Sequence, residues 1–273
     1  MKHRLCVTDL DGTLLHSNHK ISDVNRKCLQ ELGERGIIRV LATGRSLWSL
    51  KQVITTEALF DYLIVATGAG ILSWPEEELL YSTNILQPDI TRVYHALEAL
   101  DVDYMMHHGV PDTHLMEYRA RKGCSDFWHR IKYHQRFASL LNPEAIATME
   151  AVTLFLAIAD DPDMYQVLKE KLAPLTVIST TSATDQSSIW IEVLGQQVNK
   201  GSALSWLLKH LAIDPDHCMV IGNEMNDLHM LDAVPNAYVP HNAVPHLLSR
   251  FTHVAHHDDD GFSEAVQHWL TKV

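Results

Sequence analysis

Short apolar runs alternate with helical stretches at both ends of this chain but not in its middle, and that pattern most restricts the fold. Residues 5–8, 37–42 and 62–66 are apolar runs of strand length. After the first, Ser22 offers a helix N-cap, Val24, Cys28, Leu29 and Leu32 share one helical face, and Gly36 supplies a stop. Trp48, Leu50, Val53 and Ile54 suggest a second helix after the second run. Strands of this kind separated by helices are the signature of βαβ units and a parallel sheet. The alternation returns after Gly195. There Ala203, Leu204, Leu207, Leu208 and Leu211 form a helical face, 217–221 a strand and 228–231 a helix. Short strands at 238–240 and 252–255 and a helix at 262–270 follow.

The middle reads differently. Residues 71–74 and 78–82 flank Pro75 and three glutamates, the pattern of a hairpin. A strand is expected at 152–159, a helix at 164–172, and an antiparallel pair at 176–181 and 189–194. Residues 107–136 are rich in His, Arg and aromatics without clear periodicity, and irregular structure is expected there. The economical reading is an α/β protein. A Rossmann-like, doubly wound parallel sheet is built from 1–83 with 191–273, and a second α/β domain is inserted at 84–190.

Composition narrows the class. The chain has 273 residues, 46 % hydrophobic and 21 % charged, enough for a sizeable core. A net charge of −12 argues against nucleic acid or an anionic membrane surface as partner. Cys6, Cys28, Cys124 and Cys218 are scattered without a CxxC pair, which fits a reduced interior better than a disulfide framework. Asp9 and Asp11 interrupt the first apolar run, so no signal peptide is expected, and no apolar stretch reaches the roughly 18 residues of a membrane span. A cytoplasmic protein is expected.

In a parallel sheet the strand C-termini open onto one edge, where ligands bind. Four polar signals fall there: Asp9-Leu10-Asp11 after the first strand, Thr43-Gly44-Arg45 after the second, Lys200-Gly201 at a helix start, and Gly222-Asn223-Glu224-Met225-Asn226-Asp227 after the strand at 217–221. Taken singly, each has a plain structural reading as a solvated turn, a surface lysine or a helix cap. Their order and common edge give them another.

The set resembles the haloacid dehalogenase superfamily, and within it the Cof-like phosphatases, through DLDGT (9–13), ATGR (42–45), NKG (199–201) and GNEMND (222–227). TGAG (67–70) and the Asp-Gly turn at 260–261 match further family positions, so the likeness spans the whole chain. The resemblance implies an Mg²⁺-dependent phosphatase of small phosphorylated metabolites of the sugar phosphate, nucleotide or pyridoxal phosphate type. Asp9 would be the nucleophile, forming an aspartyl-phosphate. Asp11 would be the general acid and base, and Lys200 the cation beside them. Leu10, Thr43, Gly44, Lys200 and Asn226 would hold the phosphoryl oxygens, and Asp9, Asp11, Asn223 and Asp227 the metal. The inserted domain would be a cap carrying substrate specificity. The chemistry needs such a set. A carboxylate attacking a phosphate dianion meets about 4 kcal/mol of repulsion per charge pair at 4 Å and an effective dielectric of 20, and cations must cancel it.

One departure stands out. The family commonly has Gly-Asp where this chain has Gly222-Asn223. An amide oxygen is still a hard ligand suited to Mg²⁺, but one negative charge is lost. Two other readings stay open from the sequence: a phosphotransferase or phosphomutase of the same superfamily, and a non-catalytic phosphometabolite-binding protein. Arg119, Arg121 and Lys122 are candidates for an anionic substrate group, although a solvated basic stretch is the simpler reading. The run His256-His257-Asp258-Asp259-Asp260 invites a second metal site but is read as ordinary surface.

Overall fold

The computed structural model describes residues 4–54, 59–161, 163–181 and 188–272. The strands, in chain order, are β1 (Leu5–Asp9), β2 (Ile38–Ala42), β3 (Tyr62–Val65), β4 (Gly70–Ser73), β5 (Leu79–Ser82), β6 (Ile85–Leu86), β7 (Asp103–His108), β8 (Met116–Arg119), β9 (Ala138–Leu140), β10 (Ala151–Ala159), β11 (Thr176–Thr181), β12 (Ile189–Leu194), β13 (Cys218–Ile221), β14 (Asn236–Pro240) and β15 (Thr252–Val254). The chain divides into two compact units, one of residues 1–45, 49–82 and 199–273, the other of 46–48 and 83–198.

The first unit holds an eight-stranded sheet in the order β15-β14-β13-β1-β2-β3-β4-β5. Pairing is parallel from β15 to β3, and β4 and β5 add an antiparallel hairpin. Strands alternate their faces. Leu5, Val7, Val40, Ala42 and Val220 pack with Ala203, Leu204, Leu207 and Leu208 of the helix Lys200–His210. On the other face, the helix Gly261–Thr271 packs against β13 to β15 and against the helix Asp23–Glu34. Ser22 caps the latter by accepting from Asn25 N at 3.0 Å, and the buried Asn25 accepts from Ser263 Oγ at 2.7 Å.

Register decides where the polar motifs fall. Asp9 lies opposite Ala42 and Thr8 opposite Ile221, so Asp9, Thr43 and Gly222 reach the same edge. β2 and β13 flank β1, and the sequence order runs outward in opposite directions from it. That is a topological switch point, the place where open α/β sheets bind ligands.

The second unit holds a seven-stranded sheet in the order β11-β12-β10-β7-β8-β9, with β6 paired to β10. The helices Asp89–Leu100 and Asp163–Leu172 cover one face through Ile90, Val93, Leu97, Leu168 and Leu172, packed on Tyr104, Phe155, Ile191 and Val193. Phe127 and Ile131 of the helix Ser125–Tyr133 cover Met105, Met116, Leu156 and Ile158 on the other.

Three expectations need correction. The division expected at 190/191 moves to 198/199, because β12 is hydrogen-bonded between β10 and β11 throughout and belongs wholly to the second sheet. The segment expected to be irregular contains the end of β7, all of β8 and the helix Ser125–Tyr133. That helix buries only Asp126, Phe127 and Ile131, too few apolar positions to show a period. What holds the turn before it is distant in sequence. Asp103 Oδ1 accepts from the backbone N–H groups of Arg121, Lys122 and Gly123 at 2.6, 3.0 and 2.9 Å, and Oδ2 from Cys124 N at 3.1 Å. The expected helix at 48–54 is a single helical turn, Leu47–Leu50, and residues 55–58 lie outside the described residues.

Burial works against the charge of Asp103, but its four backbone donors outweigh it and leave the carboxyl below its usual range. Its contribution is therefore present above the ordinary carboxylate pKa and fades as pH falls through the lowered one. Asp103→Ala strands four donors and should cost about 2–4 kcal/mol in urea unfolding at pH 7, with Asp103→Asn costing less. A loss below about 1 kcal/mol for the alanine variant would show that water replaces the carboxylate.

Candidate active site

The site grows from the buried end of β1. Asp9 is only 5 % exposed, and a carboxylate so placed needs a partner. Lys200, 1 % exposed at the first turn of its helix, extends Nζ to 2.7 Å from Asp9 Oδ1 and 2.6 Å from Asp227 Oδ1. The N-cap Asn199 fixes the helix start by accepting from Ser202 N at 2.8 Å. Gly201 lets the helix approach the backbone of His229, where a Cβ would come within 2.4 Å. Burial alone would lower the Lys200 pKa, but Asp9 and Asp227 outweigh it and hold the ammonium above its usual range. Burial raises Asp9, Lys200 pulls it back, and the Asp227 charge adds to the rise, leaving it at about 7. The Leu10 N–H also donates to the Asp9 carboxylate.

Asp227 is fully buried, and its other oxygen is engaged as well. Oδ2 accepts from Asn223 N at 2.8 Å and Glu224 N at 3.0 Å. This carboxylate therefore ties the loop after β13 to Lys200. Gly222 is required at its position because a Cβ there would sit 2.6 Å from the Asp227 side chain.

Asn223 faces β1. One end of its amide stands 3.0 Å from Thr13 Oγ1. That end also lies against the Asp11 carbonyl oxygen and Asp9 Oδ2, at 3.0 and 3.2 Å. Gly12, at φ 73°, makes the approach possible, since a Cβ there would lie 2.6 Å from Asn223 Nδ2. On the other side, Thr43 is buried with Oγ1 accepting from Arg45 N at 3.1 Å. Gly44 lies between Thr67 and Asn226, and a Cβ there would stand 3.5 Å from Thr67 Oγ1 and 3.9 Å from Asn226 Nδ2. Asp9, Leu10, Asp11, Thr43, Gly44, Lys200, Asn223, Asn226 and Asp227 thus converge on one sheet edge.

Sequence reading passed over three contributors. Arg45 grips Asp11 with both arms, Nε to Oδ2 at 2.8 Å and NH2 to Oδ1 at 2.6 Å. Asn242 donates to Gly12 O at 2.8 Å and accepts from His257 N at 3.1 Å. Thr13, fully buried, meets Asn223. Arg45 and Thr13 had a signal, their places in the Thr-Gly-Arg and DLDGT motifs, and Asn242 had none. The basic candidates of the second unit are paired locally: Arg119 and Arg121 with Glu98, and Lys122 with Asp160 at 3.8 Å. The groups of His256, His257 and Asp258 gather within 4.8 Å. Two of the three hold partners elsewhere, His257 Nδ1 on Leu15 O at 2.6 Å and the Asp258 oxygens on Ser17 N and Oγ, both at 2.7 Å.

Residues 6–266 match the family model described as haloacid dehalogenase-like hydrolase. The HMP-PP phosphatase of Enterobacter sp. (strain 638) is 30 % identical over 98 % of this chain and 96 % of its own. The 5-amino-6-(5-phospho-D-ribitylamino)uracil phosphatase of Bacillus subtilis (strain 168) is 26 % identical over the same shares of the two chains, 98 % and 96 %. Among solved structures, a phosphatase of the haloalkanoate (HAD) enzyme superfamily from Bacteroides thetaiotaomicron superposes with a TM-score of 0.81 at 18 % identity, covering 98 % of this chain and 95 % of that one. That last likeness concerns the fold.

Removing Lys200 leaves two buried carboxylates facing each other. Lys200→Met should lose about 3–5 kcal/mol of unfolding free energy at pH 8 in EDTA. The Asp9 pKa then rises further above its unfolded value, so the folded state holds the proton more firmly. Stability should recover in part as pH falls from 8 towards 5. Denaturant titrations at the two pH values test this, and an equal loss at both would show that the carboxylates do not repel across the site.

Proposed function

The chain belongs to the haloacid dehalogenase-like hydrolase family, and from that premise we propose that it is an Mg²⁺-dependent phosphatase of small phosphorylated metabolites, with Asp9 as nucleophile. The observation that carries the reading is the buried Asp9–Lys200–Asp227 array, with Asp11 beside it and Thr43 and Asn226 close by on one sheet edge. A protein that only bound phosphate would gain nothing from burying a carboxylate against it. Relatives matched along nearly their whole length carry the names of phosphatases of phosphorylated metabolites, and this supports the same substrate class here.

A divalent cation fits the donor set. The Asp9 carboxylate, the Asp11 carbonyl and the Asn223 amide oxygen are hard ligands, with Asn223 spaced 3.0 and 3.2 Å from the other two. Hard oxygens gathered in this way are the donor type that Mg²⁺ would take. Bound there, Mg²⁺ supplies neutralising charge to the phosphoryl oxygens. Asp227, expected among the ligands, is assigned instead to holding Lys200 and the loop, since both its oxygens are occupied by these donors.

Asp9 attacks phosphorus, and the bond it forms replaces the ester P–O bond. Lys200 balances the negative charge that approaches. Asp11, which must leave Arg45 and take up a proton as substrate binds, gives that proton to the departing alcohol, then takes one from the water that cleaves the aspartyl-phosphate, which returns Asp9 and releases phosphate. Thr43, the amides of Leu10 and Gly44, and Asn226 hold the phosphoryl oxygens. Arg45 is a positioning residue that keeps Asp11 aimed until substrate arrives. The second unit is assigned the choice of substrate.

Phosphate release from sugar phosphates, nucleotides, pyridoxal phosphate and p-nitrophenyl phosphate with Mg²⁺ tests the reading. Asp9→Asn should lower turnover about a thousandfold or more. No release from any substrate, or an active Asp9→Asn, would refute it. Transfer to an added alcohol would identify a phosphotransferase. Arg45→Ala should lower kcat/KM about 10–100-fold for alkyl phosphates and less for p-nitrophenyl phosphate, whose leaving group needs no proton. Equal losses on both would show that Arg45 does not act through Asp11.

A further inference from the structure

We propose that Asn223 stands in for the cation when the site holds none, its amide nitrogen bridging Asp9 and the Asp11 carbonyl, and that loading the metal requires this amide to turn over.

The argument starts from what surrounds the side chain. Asn223 is 6 % exposed, so its amide must find partners within the protein. The end directed at β1 meets the Asp11 carbonyl oxygen, Asp9 Oδ2 and Thr13 Oγ1, while the opposite end meets only donors. With the oxygen directed at β1, only Thr13 can donate to it, and two acceptors are pressed against a third. With the nitrogen there, it donates to Asp11 O at 3.0 Å, Thr13 Oγ1 at 3.0 Å and Asp9 Oδ2 at 3.2 Å. Without a cation the second orientation wins, because buried acceptors facing each other are unsatisfied and repel. With a cation among those oxygens the first must win, because an amide binds metal through oxygen. One side chain thus has two complementary states, selected by the ion.

A carboxylate at this position could do neither thing. It has no hydrogens to bridge Asp9 and Asp11 O, and without metal it would add a charge next to Asp9. Asparagine therefore shifts the balance in two ways. It holds the metal-free site together, and it makes metal binding work against both a missing charge and an amide set with its N–H groups against donors.

The inference rests on reading Asp9 and Asp11 O as cation ligands, but half of its test needs no metal and no substrate. Melting in EDTA should be roughly 2–4 °C lower for the near-isosteric Asn223→Asp than for the wild type. Asn223→Ala should also melt lower, since it too loses the bridge. If the oxygen faced β1 at all times, truncation would relieve repulsion, and Asn223→Ala would melt at or above the wild type. Calorimetric titration with Mg²⁺ supplies the second half. Asn223→Asp should bind at least about tenfold more tightly than the wild type. In EDTA, wild-type stability matched or exceeded by both variants would overturn the bridge. Equal Mg²⁺ affinity in wild type and Asn223→Asp would overturn the linkage to loading. Either result is independent of whether any phosphate ester turns over, so failure here is distinguishable from failure of the phosphatase reading.

Discussion

The ammonium of Lys200 between Asp9 and Asp227 is the contact on which the rest of the first unit depends. An unpaired charge at 1 % exposure would not remain buried, so Lys200 is there because two carboxylates meet it. Those carboxylates come from different places, one from the end of β1 and one from the loop after β13. The lysine therefore fixes the separation of two strand ends and one helix start at once. The neighbouring backbone agrees with it. Gly68 lies so close to the Asn199 carbonyl that a Cβ would sit 2.3 Å from it, and Gly201 does the same against His229. The helix Lys200–His210 can bring Nζ to the sheet edge only because no side chain blocks it at either point.

A second layer holds the loop that carries Asp11. Asn242 ties Gly12 O to His257 N, and His257 in turn donates to Leu15 O. Asp258 and Asp260 take up Ser17, His16 and Ser22 on the far side. The histidine- and aspartate-rich stretch near the C-terminus is thus a clamp on the segment that follows Asp9. Its polar groups are directed at the chain start, which explains so dense a run of titratable residues on a turn.

What the sequence disclosed follows from the range of the interactions. β1, β2 and β13 are apolar runs that end abruptly in polar motifs, so the strands and the site residues were legible together. The boundary at 198 was not, because β12 continues its alternation to Leu194 and only a tight turn, with Val198 N donating to Gly195 O at 3.3 Å, separates it from Asn199. No change in composition marks the spot. The helix Ser125–Tyr133 was hidden because Asp103, some twenty residues earlier, organises its approach, and an Asp at the start of a strand announces nothing of the kind. The same holds for Arg45 and Asp11, which meet across two loops, and for Asn242. Local pattern predicts elements, and pairings across the edge of a sheet need coordinates.

The charges at this edge suggest why an amide at residue 223 is useful as well as tolerated. Asp9, Asp11 and Asp227 face Lys200 and Arg45, three carboxylates against two cations. A divalent ion would turn that net negative site into a net positive one, and a phosphate dianion would restore a single negative charge. With aspartate at 223, the loaded site would be neutral before the phosphate arrived and doubly negative after. Charges about 4 Å apart interact by several kcal/mol at the dielectric of a partly buried site, so the two choices are not equivalent. Aspartate would favour a metal, and asparagine would move part of that affinity to a phosphoryl group. By the same proposal the amide keeps the metal-free site assembled, so that an ion and a phosphorylated substrate would meet a site whose parts are already in position.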